Sequence, residues 1–517
     1  MTDATAAPPG ARPPGQLLTD LARSQPEQRA VTCYATTITY AQLERRANGL
    51  ARAYRILGVG HGDTVTIALP NGIEFIAACF AIWKLGAVPQ PVSWRLPDRE
   101  RDQIIELAKP ALVVGANSAA APSVPAAYEP DARLEDTPLT PHLVPPVWKI
   151  TTTGGSTGRP KLIVVGLRGA FDPQARAATA LMRPDDVQLV PGPLYHNAPF
   201  AYGLLGVSLG QHVVIMSKFD ATAALNLIAQ HQVSWTNLVP TMMLRMARLI
   251  QAEPLRWDIS SLRTVWHMAA PCPAWLKQTW IGLVGADNLH ELYGSSEGLA
   301  GTAITGREWL EHRGSVGRVR HGEMQILDEH DNSLQPGQVG EIYMRKAPGS
   351  TELRYRYIGA EARSLDDGWE SFGDMGWMDA DGYLYLADRR TDMIIVGGAN
   401  IYPAEVEAAI LEHPGVLSCA VVGIPDDDLG ERLHAVVEAS GPISDETLLA
   451  FIAERIGPSK LPRSFRYVSE PVRDDAGKLR RAEIRDRERA MLAATSDCER
   501  RVGASRSTEW TVTQGDI

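Results

Sequence analysis

The chain has 517 residues, which is too long for a single hydrophobic core and predicts two or more domains. Its hydrophobic content of 44% and its charged content of 22% are ordinary for a globular protein. The formal net charge of -10 argues against nucleic acid as the main partner.

The cysteines and the N-terminus indicate where the protein works. Five cysteines are widely scattered and include no C-x-x-C pair, so neither a zinc site nor a disulfide framework is indicated. A reducing cytoplasm is the simplest setting. The N-terminal stretch MTDATAAPPGARPPG has no apolar segment of the signal-peptide kind, and its composition predicts disorder over residues 1–15. No apolar run reaches the roughly 18 residues that a membrane helix needs.

Short apolar runs alternate with helical patterns through the first two thirds of the chain. Strands are predicted at 64–69, 111–114, 213–216, 234–239 and 264–268, with helices at 73–85 and 221–230. This alternation predicts an α/β fold in which parallel sheets are covered by helices. Residues 115–146 are rich in Ala and Pro and are a predicted loop.

From residue 340 the pattern changes to short strands with turns, at 341–344 and 382–386. Past residue 389 it predicts a small α+β unit. That unit has a helix whose first turn contains Pro403, followed by two strands and a polar helix over about 480–493.

The segment from Thr151 to Lys161 reads TTTGGSTGRPK. Its glycines let the backbone approach a ligand, its hydroxyls add donors, and its lysine adds a positive charge, a combination that suits a polyphosphate. The spacing is not that of a Walker loop, because Leu162 stands where the Mg²⁺-binding Ser or Thr should be. Taken alone, a flexible linker is the alternative.

Further segments carry side chains suited to a nucleotide. HELYGSSE at 290–297 joins an aromatic ring, which can stack on a purine, to a carboxylate that can hold Mg²⁺. FGDMG at 372–376 places Asp374 between glycines, where it could accept both ribose hydroxyls. DRRTD at 388–392 is either a surface linker or a nucleotide contact with a hinge. Lys478 lies on a glycine turn. Each has a plain structural alternative, such as an Asx turn or a solvated lysine.

In this order and at these separations, the segments resemble the motifs of the adenylate-forming superfamily of acyl-CoA synthetases, adenylation domains and luciferases. The resemblance covers about residues 17–490 and extends to PLYH at 193–196, GSVG at 314–317 and GGANIYPAEVE at 397–407. The phrases WHMAAPCPAWLK and GGSTGRPKLI are similar to those of actinobacterial and bile-acid-type acyl-CoA ligases.

The resemblance implies a domain plan. A disordered N-terminus over 1–15 precedes a large adenylation domain over 16–388, with parallel or mixed sheets, covering helices and a β-barrel-like subdomain. A hinge comes next over 389–392, then a small mobile α+β domain over 393–493 and a disordered tail over 494–517.

The resemblance also implies roles for particular residues. Glu297 would hold Mg²⁺, Lys478 would bridge the substrate carboxylate and the α-phosphate, and His196 would act as a catalytic gate residue. A cation is needed because attack of a carboxylate on the α-phosphorus brings two anions together. The implied ATP contacts are made by Thr153, Ser156, Thr157, Lys161, Ala269, Ala270, Glu291, Tyr293, Ser296, Asp374 and Arg389.

The same resemblance outlines the pockets for the acid and the acceptor. Gly397 and Gly398 would line a tunnel for coenzyme A, and Thr391 would be the hinge residue, where the family usually has Asp or Lys. The apolar character of the implied acyl pocket favours an aryl, branched or polycyclic acid, although Phe200 and Met268 could be plain core. The implied acyl-pocket residues are His196, Asn197, Phe200, His267, Met268 and Gly294.

The predicted reaction joins a carboxylic acid to ATP, with Mg²⁺, to give an acyl-adenylate and pyrophosphate, and then transfers the acyl group to coenzyme A. An ATP-dependent amide synthetase is the nearest alternative, because an amine acceptor leaves the first half-reaction unchanged. A P-loop ATP hydrolase is disfavoured by the loop spacing, and an inactive binding module by the full set of charged residues. No Asp lies between His196 and Gln211, which argues against an α-amino acid substrate.

Overall fold

The computed structural model describes residues 10–154, 160–350, 353–389, 391–397, 399–426, 428–474 and 477–492. Its contacts divide the chain into two compact units. The first unit runs to Leu386 and includes a short segment at 475–477, and the second begins at Ala387.

The helices of the first unit begin at sequence signals that the chain carries locally. Thr39 accepts a hydrogen bond from the backbone of Gln42, whose side chain accepts one from Thr39 in return, and Thr305 and Glu308 form the same capping box. The described α-helices of this unit are α1 (Pro14–Ser24), α2 (Tyr40–Ile56), α3 (Ile73–Lys84), α4 (Asp98–Ala108), α5 (Pro173–Thr179), α6 (Asn197–Leu209), α7 (Ala221–His231), α8 (Pro240–Ala252), α9 (Ala274–Val284) and α10 (Gly306–Glu311).

The strands of the first unit are short, and most of those in its parallel sheets are buried apolar runs. They are β1 (Arg29–Cys33), β2 (Thr36–Thr39), β3 (Thr64–Ile67), β4 (Val88–Pro91), β5 (Leu112–Val114), β6 (Ser123–Val124), β7 (Ile150–Gly154), β8 (Pro160–Val164), β9 (Val187–Val190), β10 (His212–Ile215), β11 (Trp235–Leu238), β12 (Thr264–His267), β13 (Leu289–Gly294), β14 (Gly301–Thr305), β15 (Ser315–His321), β16 (Glu323–Leu327), β17 (Gly340–Arg345), β18 (Arg356–Ile358), β19 (Arg363–Ser364), β20 (Glu370–Met378) and β21 (Tyr383–Arg389).

One large mixed sheet dominates the first unit. Its order is β16-β17-β20-β21-β15-β14-β13-β12-β11-β9-β10-β1-β2, with β19 paired to β20. The run from β13 to β1 is parallel, and the pairings β13–β14, β14–β15, β15–β21, β20–β17 and β17–β16 are antiparallel. The carboxyl ends of β9, β11, β12 and β13 therefore meet at one edge of the sheet, where parallel sheets commonly bind ligands.

Two smaller sheets complete the first unit. Strands β4, β3, β5 and β6 form a parallel sheet, and β18, β8 and β7 form an antiparallel one. A shared core of aromatic side chains lies under them, in which Trp83 stacks on Trp148 and Phe200 meets both rings edge-on.

The second unit is a small α+β structure. Its strands are β22 (Ile394–Val396), β23 (Ala399–Ile401), β24 (Val416–Asp426), β25 (Gly430–Ala439) and β26 (Ser464–Val468), and its helices are α11 (Pro403–Leu411), α12 (Asp445–Ala453) and one over 481–492. The sheet order is β23-β22-β25-β24, and β26 runs parallel to β25.

The α/β class, the mixed sheets and the smaller second unit are confirmed. The predicted N-terminal disorder extends too far, because Arg12 pairs with Phe171 and α1 already begins at Pro14. Proline suits the first turn of a helix, because the N–H group that it lacks would have no hydrogen-bond partner within the helix there. The predicted barrel-like subdomain is an antiparallel extension of the large sheet. Among the described strands, β16 ends this extension and no pairing closes it.

Within the described ranges, no helix is both long enough and apolar enough to cross a membrane. The four cysteines in those ranges, Cys33, Cys79, Cys272 and Cys419, are all free thiols.

Candidate active site

Three predicted motifs reach the same edge of the large sheet. The segment 193–196 comes after β9, Ala269 and Ala270 come after β12, and Gly294 to Glu297 come at the end of β13 and just beyond it. Because these strands are parallel, the loops at their carboxyl ends lie on one side of the sheet. The fold therefore brings together segments that are about 100 residues apart in the chain.

The predicted phosphate loop lies between two paired strands. Strands β7 and β8 are antiparallel, with Thr153 opposite Lys161 and Gly154 opposite Pro160. Residues 155–159, which include Ser156 and Thr157, lie outside the described residues. A Walker loop joins a strand to a helix, whereas this segment joins two strands, which disfavours the P-loop alternative.

Lys161 and Glu297 meet across the ring of Tyr357. The Lys161 ammonium lies 4.0 Å from a carboxylate oxygen of Glu297 and 4.0 Å from the centre of the Tyr357 ring. The Tyr357 hydroxyl donates a 2.5 Å hydrogen bond to the same Glu297 oxygen. Strand β18 makes this possible, because it pairs with β8 and sets Tyr357 opposite Ile163.

Tyr357 is held as a neutral donor. Burial, together with the hydrogen bond to Glu297, raises the pKa of the Tyr357 hydroxyl far above its usual range. Its neighbour Tyr355 donates in the same way to Glu370, which also pairs with Arg354 at 2.8 Å. The two tyrosine rings meet edge-on at 5.0 Å. The carboxylate of Glu297 is thus oriented by a fixed donor.

The residues around Glu297 fit a Mg²⁺ ion that is bound to a nucleotide. Among the described residues, no group of three or more His, Cys, Asp or Glu side chains could hold a metal by itself. Mg²⁺ bound with phosphates commonly uses only one or two protein carboxylates and keeps several waters. The hydroxyl of Ser295, two residues earlier, is buried and has no hydrogen-bond partner in the described ranges, as expected beside a polar ligand.

The predicted ribose and adenine contacts also meet. The Tyr293 hydroxyl donates to a carboxylate oxygen of Asp374 at 2.8 Å, which joins the end of β13 to β20. Ala269 has a φ of +74°, which alanine rarely adopts. Strained backbone of this kind clusters at ligand sites. Ala269 and the half-buried Ala270 come directly after β12, and their contact with the base stays a prediction.

Glu291 lies in a buried charged cluster behind Tyr293. Its carboxylate accepts a hydrogen bond from the Lys277 ammonium on α9 and lies 3.8 Å from Nδ1 of His267. Burial lowers the pKa of His267 to about 4, and neither ring nitrogen has a hydrogen-bond partner in the part of the chain that is described. Lys277 thus pairs with Glu291 within the protein. The contact between Glu291 and ATP stays a prediction.

The grouping of the predicted acyl-pocket residues in one pocket stays a prediction. His267 faces Lys277 and Glu291, whereas the adjacent Trp266 lies on the opposite face and stacks near His290. Side chains alternate across a strand, so His267 and Trp266 face opposite sides of the sheet.

Phe200 is fully buried against Trp83, Trp148 and Phe75. For Phe200 the core alternative is therefore the correct one, because a helix turns half of its side chains toward the neighbouring elements.

The remaining predicted residues near the gate occupy the expected edge. His196 is the N-cap of α6, and its ring lies 4.6 Å from that of Tyr195. The carbonyl of Asn197 accepts a 3.3 Å hydrogen bond from Lys149. Met268 is buried at the end of β12, and Gly294 is exposed at the end of β13.

The second unit carries the predicted lysine and acceptor residues. Lys478 is exposed, its backbone N–H donates to Asp474 at 2.9 Å, and its carbonyl accepts from the Asp474 N–H at 3.0 Å. Gly397 has a φ of +55°, and the Thr391 hydroxyl lies 3.4 Å from Asp392. Gly398 lies outside the described residues, as does the side chain of Arg389.

Sequence reasoning missed three residues at this site. Tyr357 lies in RYRYIG, whose alternating tyrosines are typical of a strand but do not reveal their partners. Lys277 and Lys149 look like ordinary surface lysines in the sequence, yet both are almost fully buried. The sequence offered two signals, the alternating tyrosines and the apolar neighbours of the two lysines. Neither signal identifies the partner of a charged side chain, because that partner is set by a tertiary contact.

Comparisons with known proteins agree with this geometry. A family described as AMP-binding enzyme matches residues 18–352, and its C-terminal domain matches residues 405–478. A feruloyl-CoA synthase from an Amycolatopsis species is 34% identical over 90% of this chain and 97% of its own length.

Solved structures are similar over nearly the whole length. The O-succinylbenzoate coenzyme A synthetase MenE from Bacillus subtilis, in complex with ATP and magnesium ion, superposes with a TM-score of 0.74 at 26% identity, covering 91% of this chain and 99% of its own. The amide bond synthetase McbA from Marinactinospora thermotolerans gives a TM-score of 0.73 at 26% identity, covering 92% and 99%. The resemblance seen in the motifs is confirmed, and the chain belongs to the AMP-binding enzyme family.

Proposed function

We propose that this protein activates a carboxylic acid with ATP and Mg²⁺, releasing pyrophosphate, and transfers the acyl group from the adenylate to coenzyme A. The observation that carries the proposal is the convergence of Lys161, Glu297 and Tyr357 beside the Tyr293–Asp374 pair. This convergence supports a site in which Lys161 supplies a cation, Glu297 a metal-binding carboxylate, Tyr293 an aromatic ring and Asp374 a ribose acceptor. The likeness to a feruloyl-CoA synthase supports a CoA acceptor.

Each of these residues has a separate role in the first half-reaction. Glu297 would hold a Mg²⁺ ion, which screens the phosphate charge when bound. Lys161 supplies a cation beside it, and Ala269, Tyr293 and Asp374 receive the nucleoside. Lys478 of the second unit would neutralise the charge that develops as the substrate carboxylate attacks, and removing such a cation lowers rates by about 100-fold or more.

We propose an aryl, branched or polycyclic acid as the substrate. Met268 and Trp266 give the edge of the sheet a buried apolar surface, and feruloyl-CoA synthase and indoleacetate–CoA ligase are among the relatives. The free cysteines of the described ranges suit a reducing compartment such as the cytoplasm.

An amine acceptor is the second candidate, because the chain is also similar to an amide bond synthetase over nearly its full length. The motifs of the first half-reaction serve both activities equally.

One assay separates these possibilities. The protein is incubated with ATP, Mg²⁺ and a panel of carboxylic acids, and AMP, pyrophosphate and the acyl product are measured with CoA or with amines. We expect AMP, pyrophosphate and a thioester. Amides without thioester would favour the second candidate, and ADP with orthophosphate would exclude adenylation.

The variant Lys478→Ala tests the assignment of the lysine. We expect pyrophosphate release to fall by at least about 100-fold, because the developing charge loses its cation. Conversion of a supplied acyl-adenylate to thioester should persist. Pyrophosphate release near the rate of the unmodified protein would remove Lys478 from the mechanism.

A further inference from the structure

Lys478 is flanked in the chain by two arginines that bind one buried carboxylate. Arg473 lies five residues before Lys478 and Arg481 three residues after it. Arg473 donates to one oxygen of Glu407 at 2.9 Å, and Arg481 donates to the other oxygen at 2.5 Å. Both contacts lie within the second unit.

Glu407 is built into the helix that comes after the predicted acceptor segment. It lies on α11, and its side chain is 5% exposed. Its carboxylate also accepts a 2.9 Å hydrogen bond from the backbone N–H of Val421 on β24, which fixes it against the sheet. The Glu407 carboxylate is therefore held by two arginine side chains and by one backbone N–H of β24.

Arg481 extends the network in two further directions. It donates to the carbonyl of Val421 at 2.5 Å and lies 3.2 Å from a carboxylate oxygen of Asp392, next to the predicted hinge residue Thr391. The two arginines, Glu407 and Asp392 sum to zero charge. A buried carboxylate is tolerated when it is paired and fully hydrogen-bonded, as this one is.

We propose that Glu407 is a positioning residue for Lys478. By holding Arg473 and Arg481, it anchors the chain on both sides of Lys478 to α11. This inference rests on the proposed function, because it takes Lys478 to be the adenylating lysine. A displacement of about 1 Å at a catalytic group can lower a rate on the order of 100-fold, so such anchoring matters.

The experiment is a double-mutant cycle on pyrophosphate release. Glu407→Gln keeps the shape of the side chain and removes its charge, and we expect it to slow pyrophosphate release by roughly 10- to 100-fold. Because Glu407 acts through Lys478, the double variant Glu407→Gln with Lys478→Ala should be no slower than Lys478→Ala alone. A general loss of structure would instead make the two effects add.

Two controls separate positioning from stability. Glu412→Gln breaks an exposed ion pair with Arg455 at the end of the same helix, and it should release pyrophosphate at the rate of the unmodified protein. Conversion of a supplied acyl-adenylate to thioester should remain within about threefold in Glu407→Gln, since Lys478 is not needed for that step. If Glu407→Gln does not fold, Glu407→Asp keeps the charge and shortens the anchor, and it should show the same selective loss.

The outcomes are distinct. Normal pyrophosphate release by Glu407→Gln, equal loss of both half-reactions, or additive effects in the double variant would overturn the role of Glu407 while leaving the proposed function in place. If the unmodified protein releases no pyrophosphate with any acid, the proposed function fails first, and the role of Glu407 falls with it.

Discussion

Replacing Lys149 with methionine should make the first unit more stable at pH 7. The Lys149 side chain is almost fully buried, and its ammonium has one hydrogen bond within the described ranges, at 3.3 Å to the carbonyl of Asn197. It also lies 4.6 Å from the centre of the Phe200 ring and 5.7 Å from that of Trp148. No carboxylate pairs with it among the described residues. Burial of the ammonium lowers the pKa of Lys149 to about 7.

The size of the effect can be worked out from that pKa. One pKa unit corresponds to about 1.4 kcal/mol. A shift from an ordinary lysine pKa of about 10.4 to about 7 therefore means that burying the Lys149 side chain lowers the free energy of unfolding by about 4 kcal/mol at pH 7. The hydrogen bond returns about 1 kcal/mol and the ring contacts about 1–2 kcal/mol. Lys149→Met should therefore raise the free energy of unfolding by about 1–2 kcal/mol at pH 7.

The pH dependence has a definite sign. The folded pKa of Lys149 is depressed, so between pH 7 and pH 10 the unfolded chain binds more protons and the stability of the unmodified protein rises with pH. Below pH 7 the ammonium is charged in both states and its cost is constant. Between pH 7 and pH 9 the difference should fall by about 2–3 kcal/mol, so that Lys149→Met changes from the more stable to the less stable protein, by about 1 kcal/mol at pH 9.

Urea unfolding monitored by tryptophan fluorescence measures this difference. Eleven of the twelve tryptophans precede residue 387, so the signal reports on the first unit. Lys84→Met is the matched control, because Lys84 is equally buried but pairs with Glu44 at 2.8 Å, and its loss should destabilise by about 3–5 kcal/mol. A Lys149→Met variant that loses several kcal/mol, with no change between pH 7 and pH 9, would refute the reasoning.

Three further changes probe the site. Tyr357→Phe removes the donor that orients Glu297, and it should raise the Mg²⁺ concentration for half-maximal pyrophosphate release about threefold to tenfold; an unchanged Mg²⁺ dependence would contradict this role. Tyr293→Phe removes the bond that holds Asp374, the proposed ribose acceptor, and calorimetry should find ATP binding about threefold to tenfold weaker; an unchanged ATP affinity would contradict this role. Lys277→Met leaves Glu291 buried without its cation and should lower stability by about 3–5 kcal/mol in urea, whereas equal stability would mean that Glu291 is solvated.

The local pattern of the chain determined its secondary structure and its family. Strands predicted at 64–69 and 264–268 are β3 and β12, and the helix predicted at 73–85 is α3. These elements arise from apolar periodicity, which is a local property of the sequence. The motifs at 151–161 and 293–297 identified the family because a ligand contact made by the backbone fixes residue types at fixed spacings.

The sequence predicted the parallel strands that hold these motifs, but not the partners of the motifs' side chains. The alternation of strands and helices implies parallel strands, and the loops at the carboxyl ends of parallel strands lie at the same edge. The meeting of Tyr357 with Glu297 depends on β18 pairing with β8, about 190 residues away, and no local pattern records that pairing.

Burial decided the residues for which the sequence left two possibilities. Phe200 could face an acid or the core, and its place beside Trp83 and Trp148 is fixed by how α6 turns against α3. Lys149, Lys277 and Glu407 read as surface charges in the sequence, yet the fold buries each of them. The sequence by itself determined which elements form and which family they belong to, because those are set by local periodicity and spacing. Only the tertiary structure decided which charges are buried and what pairs with them, because desolvation depends on contacts between segments that are far apart in the chain.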